Sequence, residues 1–196
     1  MATVMPRDQM LIGDTNDFAI EAMVEPELKL PSAVWGRMCI HVGETTLGDF
    51  DDHSCALYPA YGHFKWHAKQ SSGLWDDKFN DMSPEQIHDT VRHAIYGDGD
   101  DERTMDEIRR DSRRYSKFDF LTYWGEQFDG YSSVIVSPDS DTMMIMHRPH
   151  VQHDSPRRLP GDFVVARCSR SGFLSVSRNF EHWFDREAQR LSPKEA

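Results

Sequence analysis

The stretch from Val34 to Phe50, VWGRMCIHVGETTLGDF, limits the possible folds most, because it reads as a complete hairpin. Trp35, Met38, Ile40 and Val42 bring the aromatic and apolar bulk that suits a pleated surface. Gly43-Glu44 supplies a two-residue turn, and Thr45, Thr46 and Leu47 restart an extended run that Gly48-Asp49 breaks. Cys39 and Ile40 interrupt strict alternation, so the first strand is expected to be covered on both faces and to lie inside a sheet. Such a hairpin commits part of the core to antiparallel pairing.

The same reasoning places the other elements. FAIEAMV sets Phe18, Ile20 and Ala22 on one face and Ala19, Glu21 and Met23 on the other, as in a half-buried strand. Residues 1–9 carry no periodic signal and read as a loose terminus, and Pro26 and Pro31 bracket a loop. From Asp51 to Gln70, an acidic opening and the helical spacing of Leu57, Tyr61, Phe64 and Ala68 predict a helix kinked or split near Pro59. Ser83-Pro84-Glu85-Gln86 is a capping box with proline at the first helical position, followed by the buried stripe Ile87, Val91, Ala94 and Ile95 and a stop at Gly97. Thr104 and Glu107 form a second box, opening a short, mostly exposed helix with Ile108 as its core residue.

Phe118 to Tyr131 either continues that helix or wraps over the core. Ser133–Val136 and Met143–His147 flank the turn residues Pro138, Asp139, Ser140 and Asp141, a second hairpin, and Pro149 to Pro160 reads as a polar loop. Asp162–Ser169 reads as a strand ended by Ser171-Gly172. The stretch from about Ser175 to Leu191 places Phe180, Trp183, Phe184, Ala188 and Leu191 along one helical stripe. Strands thus cluster at both ends around a helical middle. That order predicts an α+β fold, a mainly antiparallel sheet of about five or six strands with about three to four packed helices. A single domain over residues 1–196 is expected, with residues 75–130 as a helical insertion or elaboration.

Charge narrows the function. The chain has 33 acids and 22 Lys plus Arg, a net of −11, and the imbalance is local: 19 acids meet 7 bases up to Glu102, and 14 meet 15 from Arg103 onward. Such a field opposes nucleic-acid backbones and anionic membranes and favours a basic partner, unless it serves solubility alone. No apolar run approaches the roughly 18 to 20 residues of a membrane span, and the start lacks a basic segment followed by a hydrophobic one, so a cytoplasmic protein is expected. Cys39, Cys55 and Cys168 form no CxxC pair and are expected to be reduced thiols.

Candidate chemistry is sparse. His63 and His67 have the i, i+4 spacing of a metal pair, the basis of a rival reading as a metal-dependent hydrolase. However, no HExxH glutamate or third ligand accompanies them. His147, His150 and His153 sit in loop chemistry around Pro149. Asp98, Asp100 and Glu102 begin like a calcium loop, but Arg103 and Arg109 stand where glycine and the closing glutamate belong. The arginines of RTMDEIRRDSRRYSK are interleaved with Asp106, Glu107 and Asp111, which favours internal ion pairs over nucleic-acid binding. Neither a nucleophile elbow nor a phosphate-cradling glycine loop is present, no papain-type cysteine–histidine arrangement is seen, and Asp52-His53-Ser54 is only a local run. No cofactor is indicated. An acidic adaptor or scaffold module is a further alternative.

IGDTNDFAIEA, WGRMCIHVGETTLGDFDD and the closing FEHWFDREA together resemble the immunity protein 42 family of bacterial polymorphic toxin systems, of the contact-dependent or type VI secretion kind. The resemblance covers the first third and the C-terminal strand and helix. It implies a cytosolic antidote that binds one cognate toxin domain, occludes its active site and performs no reaction; self-association into a dimer is compatible with it. A toxin with a basic cleft, such as a nuclease, would complement the acidic half. The expected contact face comprises Asp76, Asp77, Asp81, Asp98, Asp100, Asp101 and Glu102.

Overall fold

The computed structural model describes residues 9–25, 34–51, 55–97, 101–149 and 163–192. Asp98, Asp100, Asp52, His53, Ser54, His150, His153, the loop between Pro26 and Pro31 and nearly all of the stretch from Pro149 to Pro160 lie outside them.

The hairpin forms as its sequence predicts. β3 (Trp35–Val42) and β4 (Thr45–Leu47) pair with Val42 opposite Thr45, leaving Gly43 and Glu44 as the turn; Gly43 takes φ +56, which a side chain would resist. β3 is interior, between β2 (Phe18–Val24) on one side and β4 with β5 (Cys55–Ala56) on the other. The stretch Ile12 to Val24 is itself a hairpin, with β1 (Gln9–Asp14) antiparallel to β2. One face of this sheet carries Ile12, Phe18, Ile20, Ala22, Met38, Ile40 and Val42, all buried. The other carries Leu11, Glu21, Met23, Arg37, Cys39 and His41 and is half open to solvent.

A second antiparallel sheet follows in the order β6 (Asp119–Phe120), β7 (Tyr131–Val136), β8 (Thr142–Pro149), β9 (Val164–Ser169). The strands thus divide between two sheets, within the expected α+β class. α1 (Tyr58–Gln70) and α4 (Arg170–Leu191) lie on the apolar face of the first sheet, where the Phe64 ring meets Phe18, Trp124 and Phe180 at 6.2, 4.8 and 5.6 Å. α2 (Pro84–Tyr96) covers β7 and β8, and α3 (Met105–Tyr115) lies on α2. Both capping boxes, at Ser83/Gln86 and Thr104/Glu107, are complete.

Three expectations change. The helix after Asp51 is neither kinked nor split, because it begins at Tyr58 with Pro59 in its first turn, where a missing N–H costs nothing. α3 buries Tyr115 while Ile108 stays half-exposed. Ser171-Gly172 does not break the chain after the strand but lies in the first turn of α4, which follows β9 directly: Ser169 Oγ accepts the Gly172 N–H at 2.9 Å, and a Cβ at Gly172 would lie 2.1 Å from Asp17 Oδ2. Residues Phe118 to Tyr131 wrap over the core and bury Trp124 completely.

Candidate partner-binding surface

α1 turns Ala60, Phe64 and His67 inward and leaves Tyr58 62% and Trp66 41% exposed, an unusual outlay of aromatic surface. With Gly62, His63, Ser116 and Asp119 they line a groove of about 430 Å³. Asp119 is held in place: its carboxylate accepts the Tyr96 hydroxyl at 2.7 Å, the Thr122 hydroxyl at 2.8 Å and Arg92 Nη1 at 3.2 Å. The Arg92 guanidinium lies 4.0 Å from the Tyr96 ring centroid, and burial with the Asp119 bond pushes the Tyr96 phenol up to about 12. The neighbouring turn holds Leu121 and Tyr123 at φ 65 and 63, and Tyr123 projects with 76% of its surface exposed. Left-handed backbone at two non-glycine residues is costly, the kind of strain that gathers at functional loops. The sequence marked none of these residues for partner binding, and His63 only as half of a metal pair; the signal was present in Tyr58 and Trp66, aromatics off the buried stripe of α1.

The proposed metal pair is used otherwise. His67 is buried with Nδ1 2.9 Å from the His63 carbonyl and Nε2 3.1 Å from the Asp119 carbonyl, so both of its nitrogens face main-chain acceptors. His63 stacks on Trp124 with centroids 5.1 Å apart. Burial pulls the His67 pKa down to about 4, outweighing the two carbonyls that favour the charged ring.

Of the seven acids chosen from sequence, Asp76, Asp77, Asp81, Asp101 and Glu102 lie among the described residues. Asp76 accepts Arg114 Nε and Nη2 at 2.7 and 2.6 Å and the Lys78 N–H, which hold its carboxyl below the usual range. Asp101 receives Arg103 through Nε and Nη2 at 2.9 and 2.6 Å and is pulled down to about 2. Asp77, Asp81 and Glu102 are exposed. Asp76 meets Arg114 in the last turn of α3, whereas Asp101 holds Arg103, whose Nη1 also reaches Asp111 on α3 at 3.1 Å. Arg109, Arg110, Arg113 and Arg114 line a separate surface groove with Asp106 along α3.

One arrangement resembles a hydrolytic triad. His88 Nε2 lies 3.1 Å from Ser132 Oγ and His88 Nδ1 lies 3.0 Å from Asp89 Oδ1, joining α2 to β7. Ser132 is only 6% exposed, its Oγ also lies 3.4 Å from the Arg148 carbonyl, and Asp89 is paired with Arg148 Nη1 at 2.9 Å.

The two-sheet, four-helix architecture is shared with a solved structure, CdiI from Burkholderia dolosa AUO158, at a TM-score of 0.59 and 13% identity over 89% of this chain and 99% of that one. That likeness defines the fold. The chain belongs to the Immunity protein 42 family, whose model matches residues 10–183 and therefore runs through the helical middle as well as the two ends. A comparison with curated proteins found no match. No helix among the described residues is long and apolar enough to cross a membrane.

Proposed function

We propose that this protein binds a cognate bacterial toxin domain in the cytoplasm, covers its active site or substrate entrance, and catalyses nothing itself. Membership of the Immunity protein 42 family carries this reading. The exposed acids Asp77, Asp81 and Glu102 suit a toxin with a basic cleft, such as a nuclease or another enzyme of phosphate-bearing substrates. Long-range attraction between the two speeds encounter. Affinity then comes from desolvated anchors, and the Tyr58 and Trp66 rim of the α1 groove offers side chains of the type that dominates interface energies.

A hydrolase reading has one observation behind it, the Ser132–His88–Asp89 chain of contacts. A nucleophile must be reachable, and a strand serine this deeply buried is not; burial also holds His88 below its ordinary pKa, in the neutral form suited to a structural bond. The metal-dependent version is disfavoured by His67, which is buried with each ring nitrogen against a main-chain carbonyl and neither turned toward a site for an ion.

The test is co-expression with a candidate toxin domain taken from a neighbouring gene. Growth protection together with a stoichiometric complex on gel filtration supports the reading. Protection without any complex, or a complex that leaves the toxin fully active, refutes it.

A further inference from the structure

On the half-open face of the first sheet, three different metal-ligating side chains converge: Glu21 from β2, and Cys39 and His41 two residues apart on β3. Register puts them together, since Glu21 lies opposite Cys39 and a strand returns every second side chain to the same face. His41 Nε2 is 3.0 Å from Glu21 Oε2 and 3.6 Å from Cys39 Sγ, and Sγ is 3.7 Å from the same carboxylate oxygen. Donors around a tetrahedral ion with bonds of about 2.0 to 2.3 Å stand about 3.3 to 3.8 Å apart, so the cluster needs only small adjustments to close on one. No other group of three or more His, Cys, Asp or Glu donors among the described residues comes together within 4.8 Å.

The surroundings already hold two of the three in a ligating posture. His41 Nδ1 is 3.2 Å from Thr46 Oγ1, so the tautomer that donates there leaves the Nε2 lone pair facing the sulfur and the carboxylate. Gln9 Nε2 donates to Glu21 Oε1 at 2.5 Å, leaving Oε2 for the cluster. Outer bonds of this kind fix ligand orientation in metal centres. His41 and Glu21 each keep 19% of their side-chain surface exposed, which gives an ion a way in beside the buried sulfur.

We propose that Glu21, Cys39 and His41 form a binding site for a borderline divalent ion of the zinc class. On binding, the Cys39 thiol releases its proton to solvent and the thiolate, the imidazole Nε2 and one carboxylate oxygen take the ion. A fourth position stays open toward solvent on the sheet face, for water or a donor from a partner. One thiolate, one imidazole and one carboxylate favour zinc over magnesium or calcium, which prefer oxygen alone. The site stands apart from the α1 groove and does not depend on the toxin-binding reading.

The test uses the full chain, stripped with chelator and titrated with cobalt(II) and then zinc(II). The expected result is one equivalent bound, with a thiolate-to-cobalt charge-transfer band that zinc abolishes. Cys39→Ser and His41→Gln remove the band, while Cys168→Ser and His63→Gln retain it. Thr46→Val leaves the ligands in place and removes only the Nδ1 partner from an exposed position, so it keeps the test decisive if Cys39→Ser fails to fold. It is expected to weaken binding by roughly 10- to 100-fold. Absence of binding at one equivalent, or a band indifferent to Cys39, His41 and Thr46, overturns the proposal.

Discussion

Both ring nitrogens of His67 face carbonyls, yet a neutral imidazole donates from only one, so this residue sits where main-chain acceptors invite a proton and burial refuses it. Burial wins, with a folded pKa of about 4 against an ordinary 6.5. Below 6.5 the unfolded chain takes up a proton that the folded chain does not, so stability is full above about 6.5 and declines as pH falls toward about 4. The contribution is on the order of 3 kcal/mol, and His63 and His88, also lowered by burial, act in the same direction. Urea unfolding across this window is expected to show a shallower pH slope in His67→Gln than in the parent; equal slopes would remove His67 from the account.

Elements are joined by a few long-range side-chain bonds that no single element specifies. Asp17, in the turn between β1 and β2, accepts both the backbone N–H and the hydroxyl of Ser169 at 2.5 Å, tying the first sheet to the start of α4. Asp17→Ala strips both acceptors while leaving the strands intact, and a loss of about 2 kcal/mol is expected in calorimetric unfolding. Ser132 similarly joins β7 to α2 through His88. Ser132→Ala is expected to cost about 1 kcal/mol and to leave toxin neutralisation unchanged. A hydrolytic turnover abolished by that substitution would revive the enzyme reading.

For the whole molecule, the informative quantity is where the charge sits. A calculation that treated every acid as free would mislead, because carboxylates such as Asp76 and Asp101 already face arginines, whereas Asp77, Asp81 and Glu102 are exposed. Reversing Asp77, Asp81 and Glu102 to lysine is expected to slow association with the toxin by about tenfold or more at low salt and to flatten its salt dependence. Stopped-flow rates unchanged in both respects would show that attraction comes from another part of the surface.

Local physics made much of the fold legible. The β3–β4 turn and the two capping boxes depend on residues within a few positions of one another, so the sequence by itself determined them, together with the α+β class. What lay beyond it were events between distant segments. Asp17 decides where α4 begins. Cross-strand register sets Glu21 beside Cys39 and His41, and packing against Asp119 seals His67 from water. Each of these depends on which faces meet after folding, a pairing that only the tertiary structure fixes, because the free energy of a buried side chain is set by neighbours remote in the chain.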